Sequence, residues 1–266
     1  MRATDIKSCY IGPEISPEQF IPEHFFLYIA KGKIHGYDGN KSQTLKSGEY
    51  CLVRKNHLAR YNKERENDQF EKVVIIFDEL FLRKFQKKHD IVSTKFNAAE
   101  AFLTLNENAL IPNFITSLMP YYNKGGKIEE SFADVKREEL LLILLRSQPE
   151  LTGIFFNYAI PKKINLEAFM HQHYKFNVSI QRFAYITGRS LSAFKRDFKE
   201  KFNVTPNRWL MQKRLEEAHF LIEKKNKKPS EIYLELGFED LSHFSFAFKK
   251  HFGQTPTQIA NRKISS

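Results

Sequence analysis

The last hundred residues carry one pattern twice. The first copy, FAYITGRSLSAFKRDFKEKFNVTP, runs from Phe183 to Pro206, and the second, IYLELGFEDLSHFSFAFKKHFGQTP, from Ile232 to Pro256. In each, a short helical run ends on a glycine, Gly188 or Gly237. Phe then recurs every fourth residue, at Phe194, Phe198 and Phe202 and at Phe244, Phe248 and Phe252. The glycines lie 49 residues apart and the closing prolines, Pro206 and Pro256, lie 50 apart, so the second turn holds one extra residue. A four-residue spacing puts each Phe trio on one helix face and leaves Lys and Arg on the other. The pattern therefore predicts two helix-turn-helix units with basic outer faces, an arrangement suited to two stretches of duplex DNA.

Within the first copy, Ser190 stands where an N-cap is wanted. Leu191, Phe194, Phe198 and Phe202 are expected to face inward, leaving Ser192, Lys195, Arg196 and Lys199 outward. Reading guanine in the major groove takes two donors in a fork, which Arg supplies best, so Arg196 is the leading base reader. Lys195 can reach a base acceptor or a phosphate, and Ser192 is short enough for the part of the helix deepest in the groove. Lys199, a turn later, is placed for the backbone. Ordinary surface charge would account for any of these four taken alone; the repetition favours DNA.

In the second copy, Asp240 takes the cap position and Leu241, Phe244, Phe248 and Phe252 form the inward stripe. Ser242, His243, Ser245 and Phe246 project elsewhere. Phe246 either touches a thymine methyl or fills a packing gap. Between the copies, Pro206–Lys224 opens with proline and keeps apolar spacing through Trp209, Leu210, Leu215, Ala218, Leu221 and Ile222. That predicts one continuous helix, roughly 28 Å long at about 1.5 Å per residue. Successive major grooves on one DNA face lie about 34 Å apart, so such a rod can space the two reading helices.

Charge placement agrees. Residues 161–266 hold 20 Lys and Arg against 10 Asp and Glu, whereas residues 1–160 hold 22 against 21. The surplus that gives the chain its net charge of +11 thus sits almost entirely in the final part, which is expected to face a polyanion.

The first 160 residues read differently. His24–Ala30, Lys33–Tyr37, Glu49–Val53 and Phe70–Phe77 are strand-like, separated by turn signals at Asp38-Gly39-Asn40 and Ser47-Gly48 and by a charged, turn-like stretch, Asn62–Asp68. Five or six short strands suggest a small antiparallel sandwich or barrel. A helical period follows at Asp78–Lys88. Asn108–Tyr122 and Glu130–Arg146 then read as an amphipathic helical hairpin. Its apolar faces either pack on the sheet of their own subunit or pair with the same hairpin of a second chain, and we favour the pairing. Ala159–Ile164 is the expected linker. The fold class is α+β, with domains at 1–160 and 161–266.

Residues 165–263 resemble the DNA-binding domain of the AraC/XylS-type bacterial transcription regulators, most closely at Gly237–Pro256 and again at TGRSLSAFKRDFKEKFNVTP. The resemblance implies seven helices in two subdomains joined by the long helix. It places base contacts on Ser192, Lys195, Arg196, Ser242, His243 and Phe246, and phosphate contacts on Lys199, Thr205, Lys249 and Thr255. Two positions depart from the family pattern. Phe246 stands where Arg is usual, and Tyr233 replaces the small residue usual four places before the turn glycine, which Ala184 keeps in the first copy. The first 160 residues look like the cupin-like sensing and dimerisation domains that precede this module. That implies a small effector or a protein partner.

The expected function is therefore a DNA-binding transcription regulator, an activator, with promoter DNA, a second copy of the chain and RNA polymerase as partners. An enzyme with its site in the N-terminal barrel is the alternative. No Ser-His-Asp arrangement, phosphate-cradling glycine loop or metal-ligand spacing supports it, and no catalytic residue, metal or cofactor is assigned. His24, His35 and His57 are scattered, and His171 and His173 point to different sides of a helix. A DNA-modifying protein would need a reactive Cys, and Cys9 and Cys51 lie in no such context. No secretory signal or membrane-length apolar run is present, which points to the cytoplasm.

Overall fold

Two units divide the chain, Met1–Ala159 and Ile160–Ser266. The computed structural model describes residues 9–11, 19–96, 100–122 and 128–261.

The first unit contains strands β1 (Cys9–Ile11), β2 (Phe20–Ile21), β3 (His24–Lys31), β4 (Lys33–Tyr37), β5 (Ser42–Lys46), β6 (Tyr50–Val53), β7 (His57–Leu58), β8 (Arg60–Glu64), β9 (Glu71–Phe77) and β10 (Phe102–Thr104). They form a five-stranded sheet in the order β1-β9-β3-β6-β10, a three-stranded sheet β5-β4-β8 and the pair β2-β7. The apolar run of β9 shows how these layers are held. Val73, Ile75 and Phe77 face one way, into a core shared with helices, while Val74 and Ile76 face the other way, against Ile34 and Leu45 of the three-stranded sheet. A strand covered on both faces reads as a continuous apolar run.

The helices of this unit are α1 (Glu79–Lys88), α2 (Leu110–Leu118), α3 (Glu130–Ser147) and α4 (Thr152–Phe155). Asp78 caps α1 by accepting from the Phe81 amide at 3.0 Å. Ile111, Phe114 and Leu118 of α2 and Leu140, Leu141 and Leu144 of α3 join the core beneath the five-stranded sheet. The helical pair thus packs its main apolar face on its own sheet. Phe132, Val135 and Leu142 of α3 nevertheless remain exposed.

Two sequence expectations are corrected. The sheet is mixed, because β1 pairs with β9 in parallel. Asn62–Asp68 is not all turn: Arg60–Glu64 is a strand on the outer edge of the three-stranded sheet, and the turn is confined to Asn67 and Asp68, both at positive φ. An edge strand facing water carries charge instead of apolar alternation, so its sequence does not look like a strand.

The second unit is helical: α5 (Leu166–His173), α6 (Ile180–Ile186), α7 (Leu191–Phe202), α8 (Pro206–Lys225), α9 (Pro229–Ile232), α10 (Leu241–Phe252) and α11 (Pro256–Asn261). The α8 helix is continuous, its 20 residues giving a rod of roughly 30 Å, and Asn226 ends it in the left-handed region. Its first turns bury Trp209 against Phe198 and Phe202 of α7. Its later turns supply Leu215, Ala218 and Ile222 to a second cluster with Phe244 and Phe248 of α10. One helix thereby serves both repeats. No helix among the described residues is long and apolar enough to cross a membrane.

Candidate nucleic-acid interface

Each repeat turns on a glycine that the backbone requires. Gly188 has φ +69° and Gly237 φ +80°. A Cβ on Gly188 would sit 2.4 Å from the Lys162 carbonyl carbon and the Lys163 nitrogen, and one on Gly237 would sit 2.7 Å from the Lys175 carbonyl oxygen. Glycine meets both demands, the left-handed turn and the close approach of another segment. The second helix of each repeat then starts on a side-chain cap. Ser190 accepts from the Ala193 amide at 3.2 Å, and Asp240 accepts from the His243 amide at 2.6 Å.

With the Phe residues inside, the outward residues follow. Phe194, Phe198, Phe244 and Phe248 are fully buried. Ser192, Lys195, Arg196 and Lys199 are exposed together on α7, as are Ser242, His243, Phe246 and Lys249 on α10. Two expectations for the second helix change. Leu241 is not part of a closed inward stripe, being 38% exposed at the helix start. Phe246 fills no packing gap, because 69% of it is accessible. A ring left in water on this face is available to an apolar partner such as a thymine methyl.

The paired threonines differ as well. Thr205 precedes α8 without a side-chain capping bond. The Thr255 hydroxyl is engaged with Gln258, donating to Oε1 at 3.1 Å and accepting from the backbone amide at 3.2 Å. The first helices of the two repeats also differ. Ala184 is buried in the seven-residue α6, whereas Tyr233 follows the four-residue α9 and packs partly buried on the α8–α10 cluster.

Two ionic features escaped the sequence reading. Arg214 of α8 donates to the carbonyls of Tyr174 at 2.8 Å, Phe176 at 2.8 Å and Gly237 at 3.0 Å, and burial lowers its pKa to about 10. Asp197 of α7 receives Arg189, Lys163 and Arg196, which together hold its carboxyl below the usual range. Nothing local in the sequence sets either residue apart from other helix charges; only their partners distinguish them.

Elsewhere the polar residues have local duties. His24 is buried edge-on to Phe155, and its Nδ1 accepts from the Lys55 amide. His35 lies between Thr44 and Glu64. His171 packs on Trp209 and His173 on Phe169, on separate sides of α5. Cys51 is buried, which pushes its thiol far above the ordinary range and away from nucleophilic chemistry. Among the described residues no group of three or more His, Cys, Asp or Glu is placed to hold a metal ion.

Residues 24–154 match the family described as the ExsA N-terminal regulatory domain, and residues 183–262 match a helix-turn-helix domain. The chain is similar to the thermoregulatory protein LcrF of Yersinia pestis, 24% identical over 248 residues and 90% of each chain. It is similar to the HTH-type transcriptional activator RhaS of Enterobacter sp. (strain 638), 25% identical over 260 residues, 94% of this chain and 91% of the other. It is also similar to the HTH-type transcriptional regulator ExsA of Pseudomonas aeruginosa, 29% identical over 133 residues, 49% of this chain and 48% of the other.

Proposed function

Because the chain belongs to the AraC/XylS family of transcription regulators, we propose that it activates transcription by reading two successive major-groove segments of a promoter with α7 and α10. The observation that carries this reading is the pair of capped helices, each with buried Phe on one face and exposed polar and basic residues on the other. Ser192, Lys195 and Arg196 face base edges from α7; Ser242, His243 and Phe246 do so from α10. Lys199, Thr205, Lys249 and Thr255 meet phosphates, Thr255 after exchanging the bonds that its amide and hydroxyl make with Gln258. The N-terminal unit, a cupin-like barrel in this reading, receives a small effector or a protein partner and controls the outcome. The protein acts in the cytoplasm, with RNA polymerase as the recipient of the signal.

Binding is expected to be strongly salt-dependent. With about six phosphate contacts per protomer, log affinity falls against log salt with a slope near −5. A salt series with the full chain and a promoter duplex checks this, and a slope near zero rejects the nucleic-acid reading.

The two reading helices are expected to contribute unequally. Arg196→Ala should cost about 1–3 kcal/mol on the preferred duplex and much less on scrambled DNA. Phe246→Ala should cost less, and only where a thymine lies beneath it. Lys199→Ala should weaken both duplexes alike. Affinities of wild type and the three variants on the two duplexes decide it. An equal loss on both for Arg196→Ala makes that residue a backbone clamp.

Dimerisation is assigned to the first unit, through the exposed Phe132, Val135 and Leu142 of α3. These three lie on the side of α3 turned away from its own core, where an equivalent helix could cover them. Sedimentation of the full chain is expected to give a dimer, and Val135→Asp a monomer of unchanged helix content. A monomeric wild type at micromolar concentration rejects the assignment.

A further inference from the structure

The Asp197 carboxylate is built into α7 as a junction of three cations. Its Oδ2 is 3.1 Å from Nε of Arg189 and 3.3 Å from Nζ of Lys163, and its Oδ1 is 3.2 Å from a terminal nitrogen of Arg196. The Arg189 side chain is 7% exposed, and that of Asp197 is 17%. Arg189 is held in turn by the carbonyls of Thr187, at 2.7 Å, and Ile164, at 3.0 Å. The carboxylate is therefore fixed from behind before Arg196 reaches it. The Arg196 side chain is 75% exposed and touches the carboxylate from the water side.

This contact is not a default of helix geometry. Adjacent residues on a helix point about 100° apart and do not face each other. Arg196 has to lean across its own helix to meet Asp197. An unbraced exposed pair of this kind would gain little, because ordering two long side chains offsets the attraction. Here one partner is already ordered, so only Arg196 loses freedom on pairing. The remaining guanidinium donors stay free to point outward, and a fork held from behind is the geometry that bidentate guanine recognition demands.

The same carboxylate also reaches the segment that opens the second unit. Lys163 belongs to it, and the Lys162–Lys163 backbone rests against Gly188 so closely that no side chain fits there. The Ile164 amide donates to the Thr187 carbonyl at 3.4 Å. The chain leaving the linker, the turn of the first repeat and the exposed Arg of its reading helix are thus joined at one anion.

We propose that Asp197 is a positioning residue that orients the Arg196 guanidinium for base reading and ties that orientation to the linker segment through Arg189 and Lys163. This rests on the assignment of Arg196 as a base reader. It adds a determinant of specificity that touches no base and that repels phosphate. Removing its charge should therefore move affinity and discrimination in opposite directions. A residue that merely stabilises the fold would move both down.

The test uses the full chain and a duplex pool randomised over about two helical turns, from which the wild-type protein selects its preferred duplex. Affinities are then measured for that duplex, its single-base-pair variants and a scrambled duplex. For Asp197→Asn the expected result is a loss on the order of tenfold in discrimination at the one base pair that Arg196→Ala also affects. Binding to scrambled DNA should be unchanged or tighter. Asp197→Glu should recover part of the discrimination. Lys163→Gln should lose less than Asp197→Asn, because Arg189 still holds the carboxylate. If Arg196→Ala loses discrimination and Asp197→Asn does not, the inference is overturned while the base-reading assignment stands. If neither variant changes any base pair, both fall together. If Asp197→Asn weakens preferred and scrambled duplexes equally and lowers the unfolding midpoint seen by Trp209 emission, the carboxylate is only structural and the inference is overturned.

Discussion

Gly188→Ala is expected to destabilise the first helix-turn-helix by about 3–5 kcal/mol, the larger part from collision and the rest from backbone strain. The left-handed conformation costs a non-glycine residue about 1–2 kcal/mol. The added methyl would lie 2.4 Å from backbone atoms of Lys162 and Lys163, so the turn or the segment beneath it has to move. Gly253 supplies the control, because its φ is +75° but nothing lies within 4 Å of an added Cβ. Gly253→Ala should therefore cost about 1–2 kcal/mol, the strain alone. The chain has one Trp, and Trp209 is buried among Phe198, Phe202 and His171, so its emission reports the first repeat. Denaturant titrations of the two variants should show a much earlier Trp209 transition for Gly188→Ala than for Gly253→Ala. Coincident transitions would mean that the turn relaxes without cost.

Arg214→Met is expected to cost on the order of 3 kcal/mol and to abolish tight DNA binding. Each hydrogen bond from a charged donor is worth about 1.5–3 kcal/mol, and removing the donor takes one bond from each partly buried acceptor. Here one guanidinium joins three carbonyls, those of Tyr174 and Phe176 in the segment between α5 and α6 and that of Gly237 in the turn of the second repeat, the Phe176 oxygen accepting from the Val178 amide as well. Desolvation of the cation offsets part of this, which is why its pKa falls to about 10, but at neutral pH the charged fork is still the form held. Arg214→Lys should be nearly as damaging, since one ammonium cannot reproduce three donors in fixed directions. Thermal unfolding and duplex affinity of both variants check the expectation. A loss under about 1 kcal/mol for Arg214→Met would show that water replaces the guanidinium, in line with the low net worth of an ordinary hydrogen bond.

What the sequence determined by itself is local. The α7 and α10 helices, their caps at Ser190 and Asp240, the turn glycines and the continuous α8 are all written within a few residues of where they act. Helix period, capping and positive φ are short-range effects, so both helices and most of their exposed residues could be placed without coordinates, with Leu241 and Phe246 the exceptions. What only the tertiary structure decided is non-local. The β8 strand hides in a charged stretch, because pairing with β4 rather than apolar alternation makes it a strand. The parallel β1–β9 pairing joins residues 64 positions apart, Cys9 with Val73, and no local pattern announces it. Arg214 meets Tyr174 from 40 residues away, and Asp197 meets Lys163 across the two helices α5 and α6. A charge on a helix looks the same in sequence whether it ends in water or in a network, because the difference lies in which distant atoms the fold brings within about 3 Å of it.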